Sequence, residues 1–221
     1  MTATRPIILI GAGGHCRSLI DVIESVRHYE VGPIVGRPEE VGEERFGYPI
    51  SHADEDLPRL LGPGTLALVA VGQIESATIR RKLYDQILQG GGEPPVLTSA
   101  SSLVSDHARL GPGTVAMHHS IVNANATVGR NVILNTRCLI EHDASVGDHC
   151  HISTGAIING AATIGAGTFV GSGAVVCHGI TIPPESVVGA GQFVRRGDRF
   201  RGRIGAARPD SKADAGSFDR D

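Results

Sequence analysis

A six-residue beat runs through the second half of this chain. From Val104, every sixth residue is aliphatic: Leu110, Ala116, Val122, Val128, Leu134, Ile140, Val146, Ile152, Ile158, Ile164, Val170, Val176, Ile182, Val188 and Val194. The next residue is often Gly or Asn, as at Gly111, Asn123, Gly129, Asn135, Gly147 and Gly165. The residue four places on is mostly small, as at Ala108, Thr114, Ser120, Ala126, Cys138, Ala144, Cys150, Ala156 and Ala174. An α-helix cannot hold a period of six on one face, and a simple strand alternates at two. A hexapeptide period specifies a parallel β-helix, whose rungs stack and bury the repeated aliphatic residue. With three hexapeptides per turn, residues 18 apart stand one above another, so the linear sequence becomes a set of spatial columns. The absence of Trp, the 4% aromatic content and the 30 glycines suit a thin solenoid packed with Val and Ile. Cys138 and Cys150 fall at the small inward position and read as core filler.

Residues 1–95 have a different texture. Residues 7–10 (Ile-Ile-Leu-Ile) are a short buried strand, and Gly11-Ala-Gly-Gly-His15 is a turn. Residues 17–28 place Leu19, Ile20, Ile23 and Val26 at helical spacing. Strands follow at 31–35 and 66–71. A helix at 76–89 carries Ile79, Leu83, Ile87 and Leu88 on one face and stops at Gly90 to Gly92. Strand–helix–strand alternation predicts a small parallel α/β domain. Glu93-Pro-Pro95 marks its end, the solenoid occupies 96–194, and 195–221 is a tail, basic first and then polar, whose end from about Pro209 reads as disordered. The net charge of -3 gives no reason to expect a nucleic-acid partner. No signal peptide or membrane span is read from the sequence, and four widely spaced cysteines fit reduced thiols in the cytoplasm.

Gly11-Ala-Gly-Gly-His15 sits where a strand hands over to a helix, a place where backbone N–H groups and the helix dipole favour a phosphate. It is not a dinucleotide fingerprint, because Cys16 stands where the third glycine belongs. The second strand ends Ile34-Val-Gly36-Arg37, without the acidic residue that binds a ribose diol. Redox use of a nicotinamide is therefore set aside. Two readings remain: a tight turn required by strand–helix packing, or a nucleotide or nucleotide-sugar site with Arg37 on the phosphate or the uracil side.

The solenoid concentrates histidine, at 107, 118, 119, 142, 149, 151 and 178. In the 18-residue register Asp106, Ala124, His142, Gly160 and His178 form one column. His142 thus stands between small neighbours, with Glu141 and Asp143 beside it in its own rung. Histidine is the side chain best suited to take and return a proton near neutrality. A neighbouring carboxylate, Asp143 or Glu141, can fix its tautomer and raise its basicity. Adjacent strand residues point oppositely, so Asp143 can serve only through a corner. His107, His118, His119 and His149 read as solvated surface residues.

The segment Asn135-Thr-Arg-Cys-Leu-Ile-Glu-His142-Asp143, with Val146-Gly-Asp148 and His151-Ile-Ser153 after it, resembles the bacterial sugar acetyltransferases of the left-handed β-helix class. The type it resembles is the sialic-acid O-acetyltransferase and UDP-4-amino-sugar (bacillosamine precursor) N-acetyltransferase group. The Gly-Gly-His turn, Val71-Gly-Gln, Arg80-Arg-Lys-Leu-Tyr84 and Gly189-Ala-Gly191 carry the likeness over nearly the whole chain. It implies left-handed winding, a homotrimer with active sites between solenoids, and acetyl-CoA as co-substrate without a metal. It also implies His142 as general base, Asp143 as the acid that increases its basicity, and Asn135 as an acceptor contact. His151, Gly160, Ser172 and Ala190 fall at acetyl-CoA positions, and Gly14, His15, Cys16, Gly36, Arg37 and Gly72 at nucleotide-sugar positions. Three departures stand out: Cys16 replaces a frequent glycine, Gly36-Arg37 replaces a frequent acidic pair, and the tail has Gly205-Ala-Ala-Arg208 where a Gly-X-Pro-Ala-Lys is usual.

The expected reaction is direct acetyl transfer to the amine of a nucleotide-linked amino sugar, with a backbone N–H near Gly160 on the oxyanion. O-acetylation of sialic acid is the nearest alternative. Two further readings use the same scaffold. One is a trimeric zinc hydratase of γ-carbonic-anhydrase type, drawing on His149-Cys-His151 and His118-His119. The other is a non-catalytic nucleotide-sugar sensor, which leaves the Asn135, His142 and Asp143 grouping unexplained.

Overall fold

The computed structural model describes residues 4–196, Asp198 and the strand Arg203–Ile204. It begins with a five-stranded sheet. Strand β1 (Arg5–Ile10) runs into helix α1 (Gly14–Glu24), then β2 (Tyr29–Gly36), a hairpin of β3 (Glu44–Arg45) and β4 (Tyr48–Ala53), a single helical turn α2 (Leu57–Leu60), β5 (Leu66–Val69) and helix α3 (Thr78–Gln89). The order is β3-β4-β2-β1-β5, with β1 parallel to both β2 and β5. Ile7, Leu9, Ile10, Ile34, Val35, Ala67 and Leu68 are buried, as a strand covered on both faces requires.

Beyond Pro95 the chain winds as a left-handed parallel β-helix with three faces. One sheet has seven strands, from Leu97–Thr98 to Arg203–Ile204; one has six, from Leu103–Val104 to Phe193–Val194; one has five, from Arg109–Leu110 to Thr181–Ile182. Pairs such as Ile121↔Leu139 and Ser145↔Thr163 give the expected 18-residue register. The second residue of each strand points inward: Val122, Leu134, Ile140, Ile152, Ile158, Val170, Val176 and Val188 have no exposure at all. Each such side chain stabilises the solenoid by about 1.5–3 kcal/mol. The small residues of the corners, Cys138 and Cys150 among them, fill the prism edges. Burial pushes both thiols up to about 12, so they remain protonated filler.

The three faces differ in what covers them. The seven-stranded face is docked against the N-terminal unit: Leu97, Val115 and Met117 share a core with Cys16, Leu19, Ile20 and Ile23 of α1. The five-stranded face presents Arg109, Thr127, Ser145, Thr163 and Thr181 outward, a polar surface. The six-stranded face presents Leu103, Ile121, Leu139, Ile157, Val175 and Phe193, all apolar, with Leu103 59% and Phe193 62% exposed. Nothing in the chain's described residues covers that stripe.

Two expectations need correcting. Helix α1 starts at Gly14 and ends at Glu24, earlier at both ends than the 17–28 read from its apolar spacing. In α3 the buried residues are Arg80, Tyr84 and Ile87, whereas Ile79 and Leu88 are 63% and 44% exposed. The reason is the position of α3 between sheet and solenoid, where the ends of β5 and a solenoid corner offer carbonyl groups that need a donor. Arg80 supplies it: its guanidinium donates to Val69 O (3.2 Å) and Val71 O (2.5 Å), and across the domain junction to Asn131 O (3.1 Å) and Oδ1 (2.6 Å). Burial pulls the Arg80 pKa down to about 9, still charged at neutral pH.

Candidate functional site

The corners of the solenoid explain how adjacent residues meet. From Leu110 to Val188, the third residue after each inward aliphatic sits in the left-handed region, among them Asn125 (φ 60), Asn131 (φ 53), Asp143 (φ 62), His149 (φ 58) and Gly155 (φ 66). A corner of this kind lets residue 143 turn back on residue 142. His142 Nδ1 donates to Asp143 Oδ2 at 2.8 Å, and Asn125 Nδ2 donates to Asp143 Oδ1 at 2.7 Å. Asp143 therefore orients the ring. Glu141 is used otherwise: its Oε2 accepts from Asn123 Nδ2 at 2.9 Å and from the His142 backbone N–H at 3.3 Å.

The geometry sets the charge. The Asp143 bond raises the His142 pKa first, with smaller help from the charges of Asp143 and Glu141. The bonds from Asn125 and His142 hold Asp143 below the usual carboxylate value. With Nδ1–H committed to Asp143, the lone pair lies on Nε2, on a side chain 60% exposed. A free imidazole Nε2 of raised basicity is what a general base needs. Gly160 lies beneath the ring: a Cβ there would stand 2.9 Å from His142 Cε1 and Nε2.

A second grouping lies where the N-terminal unit meets the docked face. His15, Ser18, Gly72, Gln73, Ile74, Asn135 and His151 line an open cleft of about 540 Å³. His151 Nδ1 donates to Gln73 O at 2.7 Å, which fixes its tautomer, and Asn135 Nδ2 donates to His151 Nε2 at 3.1 Å. Burial pulls His151 down to about 4. His15 is lowered well below its ordinary value, first by burial and then by the charges of Arg80 and His151, and its Nε2 is buried with no partner. Both rings are neutral; His15 Nε2 is left for a ligand, whereas both nitrogens of His151 are taken.

Around the corner of the sheet, a cavity of about 440 Å³ is floored by Gly11, Ala12, Gly13 and Gly36, walled by Val71, Ile79 and Leu83, and rimmed by Arg37, Glu40, Asp54 and Lys82. The exposed Ile79 is thus a cavity wall. Gly11 needs its glycine: at φ 111 a Cβ would stand 2.5 Å from Val71 Cγ2. Cys16 faces the α1 core with no exposure and its thiol is pushed up to about 11, so only its backbone N–H can meet a ligand. Arg37 is engaged by Glu39 and Glu40. Sequence reasoning missed Arg45, which lies buried under the turn and donates from Nε to Ala12 O at 2.7 Å while pairing with Glu40 and Glu43. It comes from the hairpin, and no apolar periodicity marks it.

The site residues fall in separate places within one protomer. His142, Asp143 and Gly160 are on the corner between the apolar and polar faces, whereas Asn135, Ser172 and Ala190 are on the corner between the docked and apolar faces. The nucleotide-sugar candidates Gly14, His15, Gly36, Arg37 and Gly72 belong to the N-terminal unit. The apolar stripe separates the two solenoid edges. Gly205 to Arg208, and the tail from Pro209, lie outside the described residues.

The metal reading loses its ligands. His149 packs edge-on to Tyr84 at 5.6 Å and takes Asn131 Nδ2 on Nδ1, Cys150 points inward, and His151 is held by Gln73 and Asn135. His118 bridges Ser99 Oγ (2.6 Å) and Asp21 Oδ2 (2.8 Å), tying α1 to the first rung. Ser99 is only 2% exposed, so this trio is a strut and offers no nucleophile. Among the described residues no three His, Cys, Asp or Glu side chains converge on a common point. No helix among them is long and apolar enough to cross a membrane.

Residues 6–87 match the family model described as the PglD N-terminal domain, and residues 161–196 match the hexapeptide repeat of succinyl-transferase. PerB of Caulobacter crescentus, solved with CoA and GDP-perosamine, superposes with a TM-score of 0.78 at 28% identity, over 91% of this chain and 92% of its own. The acetyltransferase domain of PglB from Neisseria gonorrhoeae FA1090, solved with acetyl coenzyme A, gives a TM-score of 0.77 at 28% identity over 91% and 93%. WeeI from Acinetobacter baumannii AYE shares the fold, with a TM-score of 0.72 at 18% identity over 90% and 94%. No curated protein matches the chain by sequence.

Proposed function

We propose that this chain, a hexapeptide-repeat acetyltransferase with a PglD-type N-terminal domain, moves the acetyl group of acetyl-CoA onto the amine of a nucleotide-linked amino sugar. The observation that carries the reading is the exposed His142 Nε2, left free and basic by the Nδ1–H bond to Asp143. His142 accepts a proton from the amine as its nitrogen attacks the thioester carbonyl carbon. The carbon–sulfur bond then breaks, the electron pair leaves on sulfur, and His142 returns the proton to the thiolate. The backbone N–H of Gly160, next to the ring, bonds the oxyanion.

The nucleotide sugar lies along the N-terminal unit. Its phosphates meet the N–H groups of Gly13 and Gly14 at the start of α1, and its base sits against Val71, Ile79 and Leu83. His15 and Asn135 reach the sugar from the cleft. Because His142 and this cleft sit at opposite edges of the apolar stripe, the site is completed between protomers. A homotrimer that buries Leu103, Ile121, Leu139, Ile157, Val175 and Phe193 brings one protomer's base to its neighbour's cleft. Acetyl-CoA runs in the groove between them, with Gly160, Ser172, Ala190 and His151 as its contacts. Use of acetyl-CoA and four free cysteines fit the cytoplasm.

An amine is a stronger nucleophile than a sugar hydroxyl, and the perosamine enzyme named above is an N-acetyltransferase. Both favour N- over O-acetylation. The test is thiol release from acetyl-CoA and succinyl-CoA against a panel of UDP- and GDP-linked amino sugars and free sialic acid. Rapid release with one nucleotide-linked amino sugar supports the reading. Release with sialic acid alone moves it to O-acetylation. With the responsive acceptor, His142→Ala lowers turnover by about 10²-fold or more while the assembly persists, and near-full activity of that variant sinks the base.

A further inference from the structure

The mechanism above leaves one neighbouring histidine unused. His178 stands two rungs on from His142 in the same column, with Gly160 between them. The two rings close over Gly160, which is buried. The place where a Gly160 Cβ would be lies 2.9 Å from His142 Nε2 and 3.3 Å from His178 Nδ1. The two nitrogens therefore converge on one side of Gly160, and an atom seated over that glycine faces both rings. His178 is exposed, and no side-chain hydrogen bond, ion pair or ring contact holds it among the described residues. The ring nitrogens of His118 and His151 and the Nδ1 of His149 have protein partners, so His178 differs from them in being uncommitted beside the base.

We propose that His178 is a second catalytic residue, whose Nδ1–H donates to the sulfur of acetyl-CoA as the carbon–sulfur bond breaks. The proposal rests on the reading of His142 as the base. The amine needs only His142, and the carbonyl oxygen has a backbone donor. Sulfur is the one reacting atom that must also meet His142, because it receives the proton in the last step. It therefore belongs between the two rings. During the step, the amine nitrogen bonds the carbonyl carbon and gives its proton to His142 Nε2. Sulfur departs with the bonding pair, His178 stabilises that charge, and His142 returns the proton. Acetamide and free thiol are the products, and both histidines end as they began.

The test compares His178→Ala, His178→Asn and His142→Ala in the intact enzyme. A hydrogen bond to a charged atom is worth about 10- to 100-fold in rate. His178→Ala is expected to lower kcat by that factor and leave KM for the amino sugar unchanged. His178→Asn, whose amide N–H falls near the position of Nδ1, recovers most of the loss. The thiol of bound CoA, titrated by thiolate ultraviolet absorbance, has a higher pKa in His178→Ala than in the wild type. Full turnover of His178→Ala, or a bound thiol that titrates as in the wild type, overturns the proposal. Activity retained in His142→Ala is a separate failure, that of the base, and the thiol titration still reports on His178.

Discussion

Gly160→Ala separates chemistry from folding at this site. The φ of Gly160 is not in the left-handed region, so its backbone accepts alanine. Loss of glycine's freedom in the unfolded chain stabilises by about 0.4–1 kcal/mol. Against this, the new Cβ sits 2.9 Å from His142 Cε1 and Nε2, inside the roughly 3.5 Å at which such atoms rest in contact. The ring is 60% exposed and free to swing out, at about 0.5–1.5 kcal/mol of rotamer strain. The two terms nearly cancel, so the melting temperature should stay within about 4 °C of wild type. Function does not cancel. A displaced ring gives up the 2.8 Å bond to Asp143 and turns Nε2 away from the acceptor. General-base catalysis contributes about 10²–10⁴-fold, so kcat should fall by at least about 10²-fold. Thiol release at saturating acetyl-CoA and amino sugar, with thermal unfolding followed by circular dichroism, reads both quantities. Wild-type turnover in Gly160→Ala refutes the claim that the observed ring position is the productive one. Joint loss of turnover and of many degrees of melting temperature refutes the claim that the site is mechanically separate from the core.

Three other outcomes follow from the same geometry. A base works in its neutral form, so kcat/KM falls as pH drops through the His142 pKa, which Asp143 holds above the ordinary value. Asp143→Asn removes that support, and the acid limb of the pH profile should move to lower pH; a limb that stays in place contradicts the assignment. Arg80→Met leaves Val69 O, Val71 O and Asn131 Oδ1 without their donor in a buried junction, which should cost about 3 kcal/mol or more in denaturant unfolding. A change under about 1 kcal/mol would show the junction re-forms without it. Ile157→Asp puts a carboxylate on the apolar stripe, and sedimentation should find monomers with little turnover. An intact trimer would place the interface elsewhere.

The solenoid was legible because one rule, an aliphatic residue every six, decides every rung. Val122, Ile140, Ile158 and Val176 all point inward, and the pairing of Ile121 with Leu139 reproduces the column spacing. What was hidden lay in the corners. The third residue after each aliphatic is Gly, Asn or Asp at 113, 125, 131, 143, 155, 167, 173, 179 and 191, residue types that tolerate a left-handed backbone. That pattern was on the page and decides between Asp143 and Glu141, because it says where residue 143 turns. Helix α3 departs from its apolar spacing for another reason. Apolar spacing assumes that a helix buries hydrocarbon, whereas α3 buries the guanidinium of Arg80 to gather strand-end carbonyls and leaves Ile79 to wall a cavity.

Nearness in sequence was the least reliable guide to nearness in space. Asn135 and His142 are seven residues apart and belong to one motif, yet they occupy opposite edges of a solenoid face. The residue that starts each strand says why that separation is tolerable. It is Arg, Thr or Ser on the polar face and Leu, Ile, Val or Phe on the face between the two half-sites. A lone protomer would hold that stripe against water at a cost of about 25 cal/mol for each Å² of apolar surface. In the proposed trimer, association relieves this cost and, in the same movement, carries the proposed base on one edge to a cleft on another. On the proposed reading, the outward alternation between faces therefore does in sequence what the catalytic motif alone does not: it assigns the active site to the assembly.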